Sequence, residues 1–166
     1  MDVIVDTFGF FVEVPDELHI QALYPTGTPE GDPSLDLGVS MEPGSPPDLL
    51  RMTGVMLTEH ARANPWELAA FVCAAECPPL DAGVFAKRFQ AVVESRGEHF
   101  AGLTEGVRLG SLPAFEVAWH VGRRISTLRL CWRANLRYSA QLSGFAEKRT
   151  MHDAAWRAIM ASFELR

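Results

Sequence analysis

The chain has 166 residues, of which 48% are hydrophobic and 22% are charged. This length and composition are typical of one globular domain with a self-sufficient core, and they exclude an intrinsically disordered chain. The formal net charge is −6, and residues 1–50 carry ten carboxylates and no lysine or arginine, which argues against nonspecific binding to nucleic acid.

The N-terminal residues and the cysteines indicate the compartment. The chain does not begin with a basic segment followed by a long apolar one, and no apolar run approaches the roughly 18 residues that a membrane-spanning helix needs. Cys73, Cys77 and Cys131 are an odd number of thiols, which disfavours a disulfide framework. We therefore expect a cytoplasmic protein with reduced cysteines and no membrane insertion.

The first part of the chain predicts short strands. Residues 8–14 and 18–24 are rich in apolar and aromatic side chains and are separated by a Pro-Asp-Glu turn, so each predicts a strand. Residues 25–33 contain three prolines and two glycines and predict a surface loop. Residues 35–41 then alternate between apolar and polar side chains, which is the period of a half-buried strand.

The segment 43–80 leaves two interpretations open. It starts with a proline-rich boundary, after which Asp48 is a candidate N-cap for a helix with apolar residues at helical spacing. Residues 55–57 also fit a strand. Residues 68–76 fit either a short helix or a buried strand, and we favour the helix. We expect an irregular or helical insertion at 43–80 within a single domain, 1–166.

The second half of the chain predicts a helix, a meander and a closing helix. Asp81 is a candidate N-cap for apolar residues three to four positions apart, extending as far as Phe100. Alternation between 104 and 143 predicts three antiparallel strands joined by short turns, and residues 151–161 predict a helix that packs on them. The fold class is therefore α+β, an antiparallel β-sheet with flanking helices.

Two short motifs carry a family resemblance. Residues 109–116 are LGSLPAFE and lead into the meander, and residues 159–165 are IMASFEL. Together with the order of elements, they make most of residues 8–165 resemble the Mog1/PsbP-like superfamily, including its bacterial DcrB-like branch. The resemblance implies an α/β/α sandwich that binds proteins, since members include photosystem II subunits, a Ran-binding protein and chaperones of secretion effectors. It implies no catalytic residues in this chain.

Residue types that often carry catalysis or bind metals occur here without a recognised pattern. The spacing Cys73-x3-Cys77 fits neither a zinc site nor a Cys-x-x-Cys redox site, so we interpret both as buried structural thiols. Glu59 and His60 are sequence neighbours and therefore make a poor acid–base pair. The five histidines contain no HExxH motif. We expect no catalytic residue, no cofactor and no metal.

The polar face of the meander is the main candidate for a partner-binding surface. Alternation places Arg129 and Arg133 on one face of the middle strand, beside His120 and Glu116 on one neighbouring strand and Arg137 on the other. Such a face suits carboxylates or a polypeptide backbone, because guanidinium groups form forked hydrogen bonds. The alternative is a solvated face, or one that neutralises the acidic N-terminal residues of the same molecule.

A second candidate surface is apolar. Trp66 and Phe71 lie beside a proline-bounded stretch and would suit a partner helix if they were exposed. Packing in the core is the alternative that we favour, because large aromatic side chains are usually buried.

These observations favour a noncatalytic protein-binding module, a chaperone or an adaptor, whose partner is a protein such as a secretion effector and not nucleic acid. The alternative is a small-molecule-binding protein or an enzyme of unrecognised type, using a cleft beside the 43–80 segment. Self-association as a homodimer is a third hypothesis, because the arginine-bearing strands and the acidic N-terminal region of different copies have opposite charge.

Overall fold

The computed structural model describes residues 3–7, 9–24 and 52–166. Within these ranges it contains ten strands and three helices. In chain order they are β1 (Val3–Thr7), β2 (Phe10–Val14), β3 (His19–Tyr24), β4 (Met52–Thr58), β5 (Leu68–Glu76), α1 (Ala82–Ser95), β6 (His99–Leu109), β7 (Leu112–Val121), β8 (Arg124–Arg133), β9 (Leu136–Phe145), α2 (Ala146–Met151), α3 (Asp153–Ser162) and β10 (Glu164–Leu165). The predictions for 25–33, 35–41 and Asp48 lie outside the described residues.

The strands form two antiparallel sheets. The larger sheet has seven strands in the order β3-β4-β5-β9-β8-β7-β6, so β5 and β9 lie in its interior and β3 and β6 at its edges. The smaller sheet has three strands in the order β1-β2-β10. No helix in the described ranges is long and apolar enough to cross a membrane.

One face of the large sheet is covered by the small sheet and by α3. Trp156, Ile159 and Phe163 point from the α3 region into this core, where Phe163 stacks on Phe10 with ring centroids 5.5 Å apart. The Ser162 hydroxyl accepts a hydrogen bond of 2.8 Å from the backbone N–H of Glu13. These contacts join the end of the chain to β2, so α3 is fixed relative to both sheets.

The opposite face is covered over β7 and β8 by α1, which begins as expected at Asp81. The Asp81 carboxylate accepts a hydrogen bond of 3.1 Å from the Gly83 N–H and satisfies one of the free donors of the first turn. Phe85 and Phe89 are fully buried, and the Phe89 ring meets Trp119 edge-on at 4.8 Å. Layers therefore cover both faces of the large sheet, and the expected α+β fold is confirmed.

The expected helix at 68–76 is wrong, because these residues form β5. Every side chain from Leu68 to Ala75 is buried, since β5 lies between β4 and β9 and both of its faces are covered. A strand buried on both faces has an unbroken apolar sequence without the alternation that identifies half-exposed strands. The strand interpretation of 55–57 is confirmed by β4, where a Cβ on Gly54 would meet the backbone oxygen of Val72.

The meander is confirmed and is larger than expected. Its turns lie between β7 and β8 and between β8 and β9, as the sequence indicates. The additional strand β6 begins at His99, so Phe100 belongs to a strand and not to the preceding helix. The closing helix is in two parts, α2 and α3, and starts five residues earlier than 151.

Candidate functional site

A polar groove lies between the uncovered part of the large sheet and helices α2 and α3. Its volume is about 500 Å³. It is lined by Val107, Arg108, Gly110, Glu116, Thr127, Arg129, Arg149, Asp153, Trp156, Arg157, Met160 and Ala161. Because four of these residues are arginines and two are carboxylates, we call it the arginine groove.

The floor of the groove is a cross-strand ion pair between β7 and β8. Arg129 faces Glu116 in the register of these strands, and its Nε donates a hydrogen bond of 2.9 Å to Glu116 Oε2. Its Nη1 donates a second bond of 2.7 Å to the backbone oxygen of Arg108 on β6. Both charged side chains are about four-fifths buried, so the pair is held in place.

Arg149 reaches the groove from α2 and has fewer partners. Its Nη2 donates a hydrogen bond of 3.2 Å to the Thr127 hydroxyl, whereas its Nη1 is buried and has no acceptor in the described part of the chain. Burial lowers the pKa of the Arg149 guanidinium, and the nearby Glu116 and Asp153 carboxylates partly oppose this effect. The charged Arg149 guanidinium is therefore only partly compensated, and a bound anion would supply the missing acceptor and counter-charge.

The other two arginines lie at the rim. Arg157 pairs with Asp153 one turn earlier on α3 at 2.8 Å, and both side chains are largely exposed. Arg108 donates a hydrogen bond of 2.9 Å to the backbone oxygen of Ser111. Exposed pairs of this kind contribute little to stability, so the rim arginines are available to a partner at small cost.

A second cavity of about 420 Å³ continues from the arginine groove along α2. It shares Arg149, Asp153 and Trp156 with the groove and adds the apolar side chains of Ile125 and Leu142. The two cavities together place a cationic end beside an apolar end, with Arg149 on the wall between them.

The partner-binding residues proposed from the sequence do not all lie together. Arg129 lies in the groove. Arg133 and His120 share its face of the sheet but are exposed and do not line the groove, and His120 stacks on His99 with ring centroids 5.2 Å apart. Arg137 is on the opposite face and buried, because β9 pairs Arg137 with Trp132. The expectation that Arg129 and Arg137 lie on the same face of the sheet is therefore wrong.

The sequence interpretation missed Arg149. It lies in α2, four residues after the end of β9, whereas the closing helix was expected to start at 151. Residues 146–150 are Ala-Glu-Lys-Arg-Thr, and the first four are good helix formers. That composition was the available signal for an earlier helix start.

Glu59 forms a polar cluster that holds α2 and α3 against the β4–β5 connection. Its carboxylate accepts hydrogen bonds from Lys148 Nζ at 2.8 and 3.0 Å and lies 2.9 Å from His152 Nε2. Burial alone would raise the pKa of Glu59, but the hydrogen bonds from Lys148 and His152 outweigh it, and the pKa is lowered. His60 is exposed and is not among these partners.

The remaining candidates have structural positions. Trp66 is 44% exposed and lies under the Arg124 guanidinium at 4.2 Å, whereas Phe71 is buried in β5, so they do not form one exposed patch. The three cysteines are unpaired, and Cys73 and Cys131 are buried. Cys77 is only half-buried, so the interpretation of both Cys73 and Cys77 as buried thiols is correct for Cys73 alone. No group of three His, Cys, Asp or Glu side chains with metal-binding geometry occurs in residues 3–7, 9–24 and 52–166.

Comparison with known proteins shows similarity at the level of structure. No family model matches the chain, and no curated protein matches it by sequence. The solution structure of cyanobacterial PsbP (CyanoP) from Synechocystis sp. PCC 6803 superposes with a TM-score of 0.61 at 10% identity, covering 99% of this chain and 92% of that chain. The crystal structure of LpqN, involved in cell envelope biogenesis of Mycobacterium tuberculosis, gives a TM-score of 0.43 at 11% identity, covering 99% and 90%. The similarity to CyanoP establishes that the chain has a PsbP-like fold.

Proposed function

We propose that the protein is a noncatalytic binding module, acting as an adaptor or chaperone, that holds an acidic segment of a protein partner in the arginine groove. The observation that carries the proposal is Arg149, a half-buried guanidinium with a buried nitrogen that lacks an acceptor in the described residues. The sequence resemblance to the DcrB-like branch and its effector chaperones supports the same role. A cytoplasmic location is part of the proposal.

The chemistry of the lining favours an acidic polypeptide over a typical small ligand. Small-molecule sites are mostly apolar and carry a few polar groups, whereas half of the residues that line this groove are charged. Arginine forks bind carboxylates through paired hydrogen bonds. The apolar cavity beside Arg149 suits a hydrophobic side chain that follows an acidic one in the partner.

The same geometry disfavours catalysis in the groove. Glu116 and Asp153 each accept a hydrogen bond from an arginine, so both carboxylates are already engaged within the protein. The Thr127 hydroxyl accepts from Arg149, and neither groove carboxylate is hydrogen-bonded to it as a general base would be. A groove that carries fixed cations and lacks an activated nucleophile is suited to binding.

A peptide-binding assay tests the proposal directly. The probe is a fluorescent peptide of alternating glutamate and leucine, and its control is the same peptide with glutamine in place of glutamate. We expect the wild type to prefer the acidic peptide, with weaker binding at higher salt. Arg149→Gln removes a charged donor and should weaken binding by about tenfold to a hundredfold.

Arg133→Gln is the matched control, because Arg133 is an exposed arginine on the same sheet face that lies outside the groove. Equal affinity of wild type and Arg149→Gln, or equal affinity for the two peptides, would contradict the proposal. A turnover activity lost on substituting a groove residue would contradict its noncatalytic part. Salt-sensitive dimerisation lost in Arg149→Gln would identify the acidic partner as a second copy of this chain.

A further inference from the structure

Two cavities meet beside helices α2 and α3. The arginine groove and the cavity that continues from it share three lining residues, Arg149, Asp153 and Trp156. Arginines and carboxylates line the groove, whereas the apolar side chains of Ile125 and Leu142 line only the second cavity. We call this second one the apolar cavity. A cationic surface and an apolar surface therefore adjoin along a single wall.

The groups around Arg149 favour a carboxylate at this wall. The two carboxylates of the groove lining, Glu116 and Asp153, accept hydrogen bonds from other arginines. Arg149 donates instead to the uncharged Thr127 hydroxyl at 3.2 Å. Because that hydroxyl oxygen accepts from Arg149, its own proton can be donated to a ligand. A carboxylate placed here receives hydrogen bonds from a guanidinium and from a hydroxyl.

Asp153 supplies an acceptor on the same wall. Its Oδ2 accepts a hydrogen bond of 2.8 Å from Arg157 Nε, which offsets its charge. The Asp153 side chain is about half exposed, and a carboxylate has lone pairs for further donors. The backbone N–H of a bound peptide is such a donor. The wall thus offers donors for a carboxylate beside an acceptor for a peptide N–H.

We propose that the groove binds the free C-terminus of a partner chain, with the terminal carboxylate at Arg149 and an apolar last side chain in the apolar cavity. This inference rests on the proposed function, because it specifies which part of an acidic partner occupies the groove. A C-terminal residue carries its carboxylate and its side chain on one Cα, which matches two cavities that share a wall. An internal acidic residue carries its carboxylate at the end of a side chain, so a second residue has to be ordered to fill the apolar cavity.

The rest of the groove fits the residues that precede the C-terminus. Arg108 and Arg157 are exposed at its rim and suit acidic side chains. The Asp153 carboxylate accepts the N–H of the last peptide bond. These contacts favour a peptide over a fatty acid, which has a carboxylate and an apolar tail but neither a peptide N–H nor acidic side chains.

Four peptides with a fluorescent label at the N-terminus separate the effect of the C-terminus from that of net charge. The first ends in two glutamates and a leucine with a free carboxylate, and the second is its C-terminal amide. The third is the same amide with one further glutamate, which restores the net charge. The fourth has glycine in place of the last leucine and a free carboxylate.

Fluorescence anisotropy measures the affinity of each peptide for the wild-type protein. We expect both amides to bind about tenfold to a hundredfold more weakly than the free acid, because a charged hydrogen-bonding group is lost. The glycine peptide should bind about tenfold more weakly than the leucine peptide, because the apolar cavity stays unfilled.

Ile125→Thr and Leu136→Thr test the apolar cavity from the side of the protein. Ile125 is 38% exposed and lines the apolar cavity, whereas Leu136 is 41% exposed and lines neither cavity. Ile125→Thr should weaken binding of the leucine peptide by about threefold to tenfold and leave the glycine peptide unchanged. Leu136→Thr is the matched control and should leave both affinities unchanged.

The outcomes separate this inference from the proposed function. Equal affinity for the free acid and the charge-matched amide would overturn the inference and leave the proposed function standing, since the groove would then hold internal acidic segments. Equal affinity for the leucine and glycine peptides would overturn it as well. Octanoate bound more tightly than the leucine peptide would overturn it in favour of a fatty acid. No binding of any of the four peptides would overturn both proposals.

Discussion

Replacing Phe89 with alanine should lower the free energy of unfolding more than any substitution at an exposed position of the same helix. Phe89 is fully buried between α1 and the sheet, stacked on Phe85 at 5.6 Å and edge-on to Trp119 at 4.8 Å. Phe-to-Ala changes at such sites cost about 3–5 kcal/mol, of which about 0.5–1.5 comes from aromatic pairing. For a chain of this size the Tm should fall by roughly 6–20 °C.

Urea unfolding followed by tryptophan fluorescence and by circular dichroism measures this loss. The matched control is Val84→Ala, because Val84 is exposed on α1 and alanine has the higher helix propensity, so its free energy of unfolding should change by less than about 0.5 kcal/mol. A loss below about 1 kcal/mol for Phe89→Ala, with an unchanged m-value, would refute the packing of α1 on β7.

Three further predictions concern the polar cluster, one turn and the thiols. Glu59→Gln should lower the free energy of unfolding at pH 7 by about 1 kcal/mol. Folding lowers the pKa of Glu59 from its ordinary 4.5, so the difference between wild type and variant should shrink as the pH falls below 4.5. A difference that stays constant from pH 7 into the acid range would contradict this prediction. Gly110→Ala should lower the free energy of unfolding, measured in urea, by about 2 kcal/mol or more. The reason is that φ of Gly110 is +59° and a Cβ there would meet the backbone oxygen of the α3 C-cap residue. An unchanged free energy of unfolding would contradict this geometry. Iodoacetamide should label Cys77 in the native protein and reach Cys73 and Cys131 only in concentrated urea, because burial raises the pKa of these two thiols to about 12 and about 11; equal native labelling of all three would show that the core is open.

The sequence predicts correctly those strands that have an apolar face against the core and a polar face on the other side. In β7 and β8 the apolar side chains occupy every second position against α1, so the period of two is visible. In β5 both faces are covered and the period is lost. In β6 the register shifts between Phe100 and Gly102 and again between Thr104 and Val107, and each shift reverses the faces of the residues that follow.

The candidate site was only partly predictable, because its residues are joined by tertiary packing. Arg129 follows from alternation within one strand. Arg149 belongs to the groove because α2 turns back over the sheet and places it against Thr127, a contact between residues 22 positions apart. No local pattern determines that contact. The resemblance to the Mog1/PsbP-like superfamily indicated the layers of the fold, but it did not locate a site on them.

The separation of Arg137 from Arg129 was, by contrast, available from the length of one turn. Two residues, Ala134 and Asn135, join β8 to β9, and a two-residue hairpin pairs the residues that flank it, Arg133 and Leu136. Paired residues share a face, so Arg129, four positions before Arg133, shares its face with even-numbered residues of β9. Arg137 must then lie on the other face. The length of this turn alone therefore separates Arg137 from the face that carries the arginine groove.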